Sequence, residues 1–290
     1  MVKEFQGKYV TIMSCSDCNI KCKHCYISYG GNFSGDQLYE MVSTLQNKYE
    51  VMINGTEPLM HKEFLKSYKL INIKSPITNG LVFKDNYNYI DELKQCGINE
   101  LRISYHFDLH EQISQVDKAY LENLFKEIRK RGLKLCLMCS ITSNNYKNIP
   151  IYCKKAVALG ATAIKFTNFL SQGRAKNLDS NLILSQKQIY EFFEIINEVR
   201  TVYDKNILEI RRCGSFGNDL NHKCNFKCDA GIGGVCITPD CNVYPCIFLC
   251  KKGNEIGYYK DGKIYIDTDL KFNSTTCMAK DILNNKNEVI

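Results

Sequence analysis

Apolar and polar positions follow two different rhythms along most of the chain. Short apolar runs rich in β-branched residues, typical of strands, lie at 9–13, 51–54, 75–78, 100–105, 133–141 and 163–168. Apolar residues spaced three and four apart predict amphipathic helices at 36–48, 62–70, 86–96, 118–130, 148–159 and 186–203. This alternation predicts an α/β fold, with a parallel sheet and helices outside it. Such sheets place function at the carboxyl ends of their strands.

The pattern changes after about residue 205, where glycine, cysteine and hairpin-like strands replace the helical spacing. We therefore expect two domains, at 1–208 and 209–290. No low-complexity linker separates them, so we expect the two domains to pack against each other.

The composition is that of an ordinary globular protein, with 44% hydrophobic and 24% charged residues among 290. No apolar run reaches the ~18 residues of a membrane span, and the first residues do not resemble a signal peptide. We therefore expect a cytoplasmic protein without membrane contact. The net charge of +7 is dispersed, without the basic, aromatic-interleaved motifs of nucleic-acid binding, so no nucleic-acid partner is expected. This charge favours an acidic substrate or an acidic electron donor.

Sixteen cysteines are the unusual feature of this composition. Disulfide frameworks are typical of small secreted domains, and neither the length nor the first residues of this chain fit that class. Clustered free thiols in a reducing compartment most often bind metal. Four other cysteines, Cys96, Cys136, Cys139 and Cys153, lie inside apolar helix or strand patterns, where we expect small buried hydrophobic side chains.

The densest group of thiols is SCSDCNIKCKHCY at 14–26, directly after the first predicted strand. Cys18, Cys22 and Cys25 have the spacing C-x3-C-x2-C on one compact loop. Three thiolates can hold three irons of a [4Fe–4S] cluster, and the fourth iron can then bind a small chelator. A zinc site completed by Cys15 or His24 is the alternative, because structural zinc takes four ligands. The thiols alone leave this choice open.

Four further motifs follow the ends of predicted strands. They are NGTEP at 54–58, TNG at 78–80, ISYH at 103–106 and SQGRA at 171–175. Together with the cysteine spacing, they resemble the radical S-adenosylmethionine superfamily over about residues 8–175. The resemblance implies a partial (β/α)6 barrel whose strand ends gather these motifs into one pocket. Thr56, where the family usually has a second glycine, is a mild departure.

The resemblance implies that Cys18, Cys22 and Cys25 hold a [4Fe–4S] cluster, with Cys15 outside it. His24 stands where the family usually carries an aromatic or apolar residue near the adenine, so its ring is expected to pack there. The residues that the resemblance assigns to S-adenosylmethionine are Tyr26, Gly55, Thr56, Glu57, Pro58, Asn79, Ser104 and Arg174.

The chemistry that the resemblance implies belongs to the cofactor and the cluster. A flavodoxin- or ferredoxin-type donor would supply one electron, and S-adenosylmethionine would be cleaved to a 5′-deoxyadenosyl radical. That radical would take a hydrogen atom from substrate, while the protein positions the substrate and excludes water.

A second group of thiols follows residue 212. The frame CDAG at 228–231 and ITPDCNVYPC at 237–246 is similar to the auxiliary-cluster extension called SPASM or, when shorter, twitch. The similarity implies a β-hairpin turning at 239–242 and one auxiliary [4Fe–4S] cluster. The expected ligands are Cys224, Cys228, Cys246 and Cys277, with Cys236 and Cys241 as alternatives. Cys241 occupies the family's turn glycine, which leaves the shape of the hairpin open.

Enzymes of this kind epimerise, oxidise or crosslink their substrates. We expect epimerisation or two-electron oxidation of a small natural product or short peptide, because only about ten residues precede the first strand and leave no room for a peptide-recognition domain. Crosslinking of a ribosomally made peptide is an alternative reaction, and a non-catalytic zinc-binding adaptor is an alternative class. Cys213 and Cys250 have no ligand role in this scheme and are candidate hydrogen donors to a substrate radical.

Overall fold

The computed structural model describes residues 2–216, 228–267 and 277–279. The strands are β1 (Val2–Glu4), β2 (Tyr9–Met13), β3 (Glu50–Asn54), β4 (Ile77–Thr78), β5 (Glu100–Ser104), β6 (Lys134–Ile141), β7 (Ala163–Asn168), β8 (Glu209–Arg212), β9 (Gly234–Ile237), β10 (Asn242–Tyr244), β11 (Gly257–Lys260) and β12 (Lys263–Asp267). The helices are α1 (Gly35–Leu45), α2 (Leu65–Tyr68), α3 (Asn88–Gln95), α4 (His110–Ile113), α5 (Lys118–Lys130), α6 (Ile149–Ala158) and α7 (Gln186–Val202).

The strands form two sheets. One sheet is parallel throughout and has the order β4-β5-β6-β7-β8. The other has the order β1-β12-β11-β10-β9-β2-β3, in which β2 pairs in parallel with both β3 and β9. Among the described strands, no backbone ladder joins β3 to β4, so the barrel is open there. The predicted α/β fold with a partial barrel is confirmed.

The sequence of α5 and α7 fixes where each helix begins, and the apolar face of α5 accounts for its packing in the core. At α5, the Asp117 side chain accepts a hydrogen bond from the Tyr120 amide (2.7 Å), which caps the helix. At α7, Ser185 and Gln188 form a capping box. The buried residues of α5, Leu121, Leu124, Phe125 and Ile128, follow the three- and four-residue spacing that the sequence predicts.

Two elements are much shorter than predicted. The strand expected at 75–78 is β4, which has only the residues Ile77 and Thr78. It starts late because Pro76 lacks an N–H to donate to a ladder. The helix expected at 62–70 is one 3-10 turn followed by α2, with Phe64 and Tyr68 buried one turn apart. A single helical turn is enough to bury both Phe64 and Tyr68. A helix this short is stabilised by such packing and not by its intrinsic helix propensity.

The C-terminal strands are integrated with the first part of the chain. β8 lies beside β7, β9 lies beside β2, and β1 pairs with β12. The hairpin between β9 and β10 turns at 239–242 as predicted, closed by the Thr238 amide, which donates to the Asn242 carbonyl (3.1 Å). Cys241 has φ 61°, so it takes the left-handed conformation that glycine usually supplies at such a turn. The boundary between residues 208 and 209 remains a prediction.

None of the helices in the described ranges combines the length and the apolar character that crossing a bilayer requires.

Candidate active site

The carboxyl ends of the parallel strands surround one cavity with a volume of about 210 Å³. Its wall contains almost every residue predicted from the motifs: Cys18, Cys22, Cys25, Tyr26, Gly55, Thr56, Glu57, Asn79, Ser104, Arg174 and Cys213. Pro58 begins a 3-10 turn, Pro58–Met60, directly after Glu57 and lies off the cavity wall. Motifs that are far apart in the sequence therefore meet in space, as expected for parallel strand ends.

The loop with the three predicted ligand cysteines is held by hydrogen bonds from several elements. On one side, the Thr56 amide donates to the Cys15 carbonyl (2.9 Å). On the other side, Arg174 donates from its backbone amide to the Cys25 carbonyl and from Nε to the Cys22 carbonyl, both at 2.9 Å. The loop is thus fixed between the ends of β3 and β7, which orients its thiols toward one cavity.

Burial opposes the charged form of these thiols. It raises the pKa of Cys22 to about 11, and the neighbouring Cys18 and Cys25 thiols add to this effect. It also raises the pKa of Cys18. Thiols bind metal as thiolates, so a metal centre on this loop must displace the protons of the three thiols. The positive charge of the metal then stabilises the thiolates.

Cys15 is separate from the three predicted ligand thiols. Its side chain is fully buried, and a Cβ added at Gly55 would lie 2.9 Å from its sulfur. Cys15 therefore packs behind the NGTEP motif and leaves no room for a side chain at position 55, where the chain has glycine. Within the described residues, no three His, Cys, Asp or Glu side chains converge on a point that would hold one metal ion. A [4Fe–4S] cluster does not require this convergence, because each thiolate binds a different iron atom.

Glu57 is the most unusual polar side chain in the cavity wall, since it is fully buried. Its Oε2 accepts a hydrogen bond from the Asn79 amide (2.7 Å), whereas its Oε1 has no partner among the described residues. Burial raises the pKa of Glu57 to about 7, against the opposing hydrogen bond from Asn79. A buried oxygen without a donor is costly, so this carboxylate fits a cationic ligand group such as an ammonium.

Asn79 connects Glu57 to the cysteine loop. Its side-chain Nδ2 donates to Asn19 Oδ1 (2.8 Å) and lies 3.7 Å from the Cys18 sulfur. Gly80 follows with φ 87°, and an added Cβ would lie 2.8 Å from a methyl carbon of Leu124. The TNG motif therefore combines a left-handed turn with a polar contact to the thiol loop.

Three histidines lie together beside the cavity. The rings of His24 and His106 are edge to face with centroids 4.5 Å apart, and His106 stacks on His110 at 5.6 Å. Burial lowers the pKa of His24 and of His110 to about 4 and lowers that of His106 well below its usual value. His24 is therefore a neutral ring packed on His106, and its expected place near the adenine stays a prediction. His106 Nδ1 accepts the Ser140 amide (3.1 Å), so its proton lies on Nε2.

Gly173 permits the close contact between the SQGRA segment and the cysteine loop. It has φ 57°, and an added Cβ would lie 2.5 Å from the Cys25 carbonyl oxygen and 2.7 Å from that of Ile27. We expect Gly173→Ala to destabilise the protein by about 1–3 kcal/mol, lowering Tm by about 2–4 °C for each kcal/mol. Thermal unfolding measures this change. Gly30→Ala is the matched control, because no atom lies within 4 Å of its added Cβ. Equal stability of the two variants would contradict the proposed contact.

The C-terminal part of the chain closes one side of the cavity. Ile247 and Phe248 line it, and the Phe248 ring packs on Tyr26 with centroids 4.9 Å apart. Behind them, three of the predicted auxiliary ligands, Cys228, Cys246 and Cys277, pack into one apolar cluster with Leu249 and Met278. The fourth predicted ligand, Cys224, lies outside the described residues.

The remaining thiols of this region are in different places. Cys236 contacts Cys250 in a separate buried cluster with Tyr244. Cys241 lies at the hairpin turn and packs against the main core instead of the thiols. Of the two candidate hydrogen donors, Cys213 lines the cavity, and the buried Cys250 donates to the Cys246 carbonyl (3.5 Å). Only Cys213 therefore faces the cavity.

Several cavity residues are absent from the sequence-based assignment. His106, Met138, Ser140, Lys165 and Thr167 all line the cavity. Lys165 and Thr167 are two apart on β7, and the alternation of a strand could have predicted that they share a face. The sequence could not show that this face is the interior one.

No family model matches the chain, and no curated protein does. Among solved structures, the fold is similar to SuiB of Streptococcus suis bound to the precursor peptide SuiA, with a TM-score of 0.69 and 14% identity over 85% of this chain and 61% of SuiB. SuiB bound to S-adenosylmethionine has a TM-score of 0.66 and 16% identity, over 87% of this chain and 63% of SuiB. Native anSMEcpe with bound AdoMet and the Cp18Cys peptide has a TM-score of 0.65 and 19% identity, over 88% of this chain and 78% of anSMEcpe.

These similarities establish the fold of this chain as that of the radical S-adenosylmethionine enzymes. The chain spans about three fifths of the length of SuiB.

Proposed function

We propose that this protein is a radical S-adenosylmethionine enzyme that modifies a peptide or a compact natural product. The observation that carries the proposal is the meeting of three thiols and the unpaired Glu57 carboxylate oxygen in one cavity at the strand ends. When bound, the cluster and S-adenosylmethionine would supply a 5′-deoxyadenosyl radical that takes a hydrogen atom from the substrate.

The residues of the cavity have separate roles in this proposal. Cys18, Cys22 and Cys25 would hold the cluster, and Arg174 fixes their loop through the Cys22 and Cys25 carbonyls. Glu57 would bind the cofactor's ammonium through Oε1, while the Asn79 amide donates to Oε2. Each contact acts before any bond breaks, so these residues position the cofactor and preserve the geometry of the reacting atoms.

Tyr26 and the C-terminal Phe248 protect the reaction from water. Their packed rings form one side of the cavity, between the cysteine loop and the cluster of Cys228, Cys246 and Cys277. Closing such a wall excludes solvent and prevents loss of a reactive species to side reactions.

The substrate class draws support from the solved structures of similar fold. SuiB was solved with a precursor peptide and anSMEcpe with the Cp18Cys peptide. A peptide substrate is therefore our first choice, with a small natural product as the second. The reaction is either epimerisation or two-electron oxidation, and crosslinking within a ribosomally made peptide is the third possibility.

An auxiliary [4Fe–4S] cluster is part of the proposal. Its ligands would be Cys228, Cys246 and Cys277, which pack together, with Cys224 as the fourth. Cys236 is next in order, because it is close enough to influence the Cys246 thiol. A flavodoxin- or ferredoxin-type protein would be the electron donor. The described cysteines are free thiols, which fits the cytosolic location that we propose.

The proposed function is tested by anaerobic incubation of iron–sulfur-reconstituted protein with S-adenosylmethionine and dithionite. Formation of 5′-deoxyadenosine, measured by liquid chromatography, together with absorbance near 400 nm would support it. A colourless protein that retains zinc and forms no 5′-deoxyadenosine would instead support a zinc-binding adaptor.

The position of Cys213 makes a prediction about epimerisation. The Cys213 thiol would give one hydrogen atom to the substrate carbon radical, and the resulting thiyl would recover an electron from the electron donor and a proton from solvent. In deuterated water, the wild type should place one deuterium at the inverted carbon of a substrate that stimulates 5′-deoxyadenosine formation. Cys213→Ala should stop this incorporation and still form 5′-deoxyadenosine, as measured by mass spectrometry.

Cys250→Ala is the matched control for this prediction, because Cys250 is buried away from the cavity. It should retain deuterium incorporation. A wild-type product two mass units lighter than the substrate would contradict the donor role and favour oxidation.

A further inference from the structure

The inner face of the parallel sheet carries an unequal number of charges. The register places Arg102 on β5, Lys165 on β7 and both Glu209 and Arg211 on β8 in neighbouring rows of this face. Glu100, two residues before Arg102, joins them. Lys134 on β6, level with Glu100, also lies on this face but is exposed at the start of its strand. The three cations that are partly withdrawn from solvent, Arg102, Lys165 and Arg211, therefore share two carboxylates.

The two carboxylates are already committed to the arginines. Glu100 Oε1 lies 3.0 Å from Arg102 Nε and 2.8 Å from Arg211 Nη1. Glu209 Oε2 lies 2.6 Å from Arg211 Nη2. Because Arg211 is bound by both carboxylates and Arg102 by one, the surplus positive charge belongs to Lys165.

Lys165 is half-buried and lines the cavity, whereas neither Arg102 nor Arg211 is part of the cavity wall. Within the described residues, its ammonium has neither an ion pair nor a hydrogen bond. An unpaired charge withdrawn from water is unfavourable, so a cavity retains one most readily where a ligand provides the opposite charge.

The neighbours of Lys165 define what this ligand can be. In the ladder, Lys165 is level with Met138 on β6 and, through it, with Ser104 on β5. On its other side Lys165 is level with Arg211 on β8, which both carboxylates already bind and which is not part of the cavity wall. Within the cavity wall, an apolar side chain and a hydroxyl therefore flank one ammonium. The only carboxylate on the described part of the cavity wall is Glu57, which comes from β3 in the other sheet.

From this arrangement we propose that Lys165 binds a carboxylate of the substrate, so the enzyme acts on molecules that carry an acidic group. The inference rests on the proposed function, since it assigns the substrate class of the same cavity. A single ammonium suits one carboxylate, and the Met138 side chain suits an aliphatic segment next to it. An acidic peptide side chain and a free C-terminal carboxylate both have this chemistry.

The test uses glutarate as the probe and the neutral glutaramide as its isosteric reference. Both are titrated by ligand-detected NMR into anaerobic, cluster-reconstituted protein saturated with S-adenosylmethionine. The variants are Lys165→Gln, the charge-conserving Lys165→Arg, and Lys154→Gln as a matched control on the exposed surface of α6.

Glutarate should bind the wild type, Lys165→Arg and Lys154→Gln with similar affinity. Lys165→Gln should weaken glutarate binding by about tenfold, the effect of losing one hydrogen bond to a charged group. Glutaramide should bind all four proteins equally weakly, and the affinity for S-adenosylmethionine should be the same in each. Equal affinity of Lys165→Gln and wild type for glutarate would overturn the inference. A loss of S-adenosylmethionine affinity in Lys165→Gln would overturn it too, because the carboxylate would then be the cofactor's own.

The 5′-deoxyadenosine assay on the same wild-type preparation separates this inference from the proposed function. Glutarate binding that depends on Lys165, without any 5′-deoxyadenosine, would contradict the proposed function alone. Formation of 5′-deoxyadenosine without such binding would contradict the assignment of Lys165 alone. Matching Tm values of the variants and wild type ensure that lost binding is not lost folding.

Discussion

Replacing Cys18, Cys22 and Cys25 together by alanine will remove about four iron atoms per chain and abolish the formation of 5′-deoxyadenosine. The three thiols lie on one loop that Arg174 and Thr56 fix through its backbone, so their removal leaves the wall of the cavity in place. The loss therefore reports on the metal centre itself. Iron content by colorimetric assay and product by liquid chromatography measure the two effects.

Two single variants give this experiment its controls. Cys96→Ala removes a thiol at the end of α3, outside the cavity, and should retain all iron. Cys15→Ala should also retain it, because Cys15 packs behind Gly55 instead of facing the cavity. Product formation by the triple variant would refute the assignment of the first cluster, and loss of iron in Cys15→Ala would favour a four-thiol site.

The second large effect is expected at Glu57. Glu57→Gln should weaken binding of S-adenosylmethionine by about 1–3 kcal/mol, the scale for losing a charge-assisted hydrogen bond. Iron content should stay unchanged, because the Glu57 carboxylate reaches the cysteine loop through the amide and side chain of Asn79. The direct contact, from the Glu57 backbone amide to the Asp17 carbonyl (3.2 Å), is retained in Glu57→Gln. Equilibrium binding of the cofactor to reconstituted protein gives the difference. Glu40→Gln on the exposed surface of α1 is the matched control.

The raised pKa of Glu57, about 7, adds a pH dependence to this prediction. Below that pH the carboxyl is protonated and cannot pair with an ammonium, so affinity for the cofactor should fall as the pH decreases. For a single group the wild type should lose about tenfold between about pH 8 and pH 6. Glu57→Gln cannot titrate and should show a flatter profile. Wild-type affinity that is independent of pH in this range would contradict the role of an ionised Glu57.

The parallel core was predictable because its periodicity is local. The strand at 163–168 and the helix at 118–130 have the predicted bounds, since each combines a clear apolar pattern with a clear start or end. The strand at 75–78 is shorter than predicted because Pro76 interrupts the ladder, and the helix expected at 62–70 is a single turn. Local pattern thus defines the longer elements well and fails where a residue removes a hydrogen bond or where one turn already buries both apolar anchors.

The site was predictable to the extent that its residues follow strand ends. Glu57, Asn79 and Ser104 come from three different strands, and the parallel arrangement alone brings them to one rim. The residues inside the barrel could not be predicted in this way. Lys165 is distinguished by the arginines beside it and the carboxylates they bind, and these contacts depend on the order of strands in the sheet.

The two candidate hydrogen donors illustrate the same limit. Cys213 and Cys250 have similar surroundings in the sequence, each in a cysteine-rich segment near a cationic residue. Cys213 follows β8, whose pairing with β7 directs it to the cavity, whereas Cys250 follows a 3-10 turn, Ile247–Leu249, and is buried beside Cys236. Tertiary pairing, which the sequence pattern does not encode locally, separates the two.

The parallel pairing of β2 with β9 affects how the protein is made. Tyr9 is paired with Gly234 on one edge of β2, and with Glu50 on the other. At translation rates of about 5–20 residues per second, Gly234 emerges roughly 10–40 s after Glu50. During that interval an apolar strand that leads directly into the cysteine loop has an open edge, which invites pairing with other chains. Ribosome-bound chains that stop before β9 should therefore aggregate more readily and load iron less efficiently than chains that extend past β12.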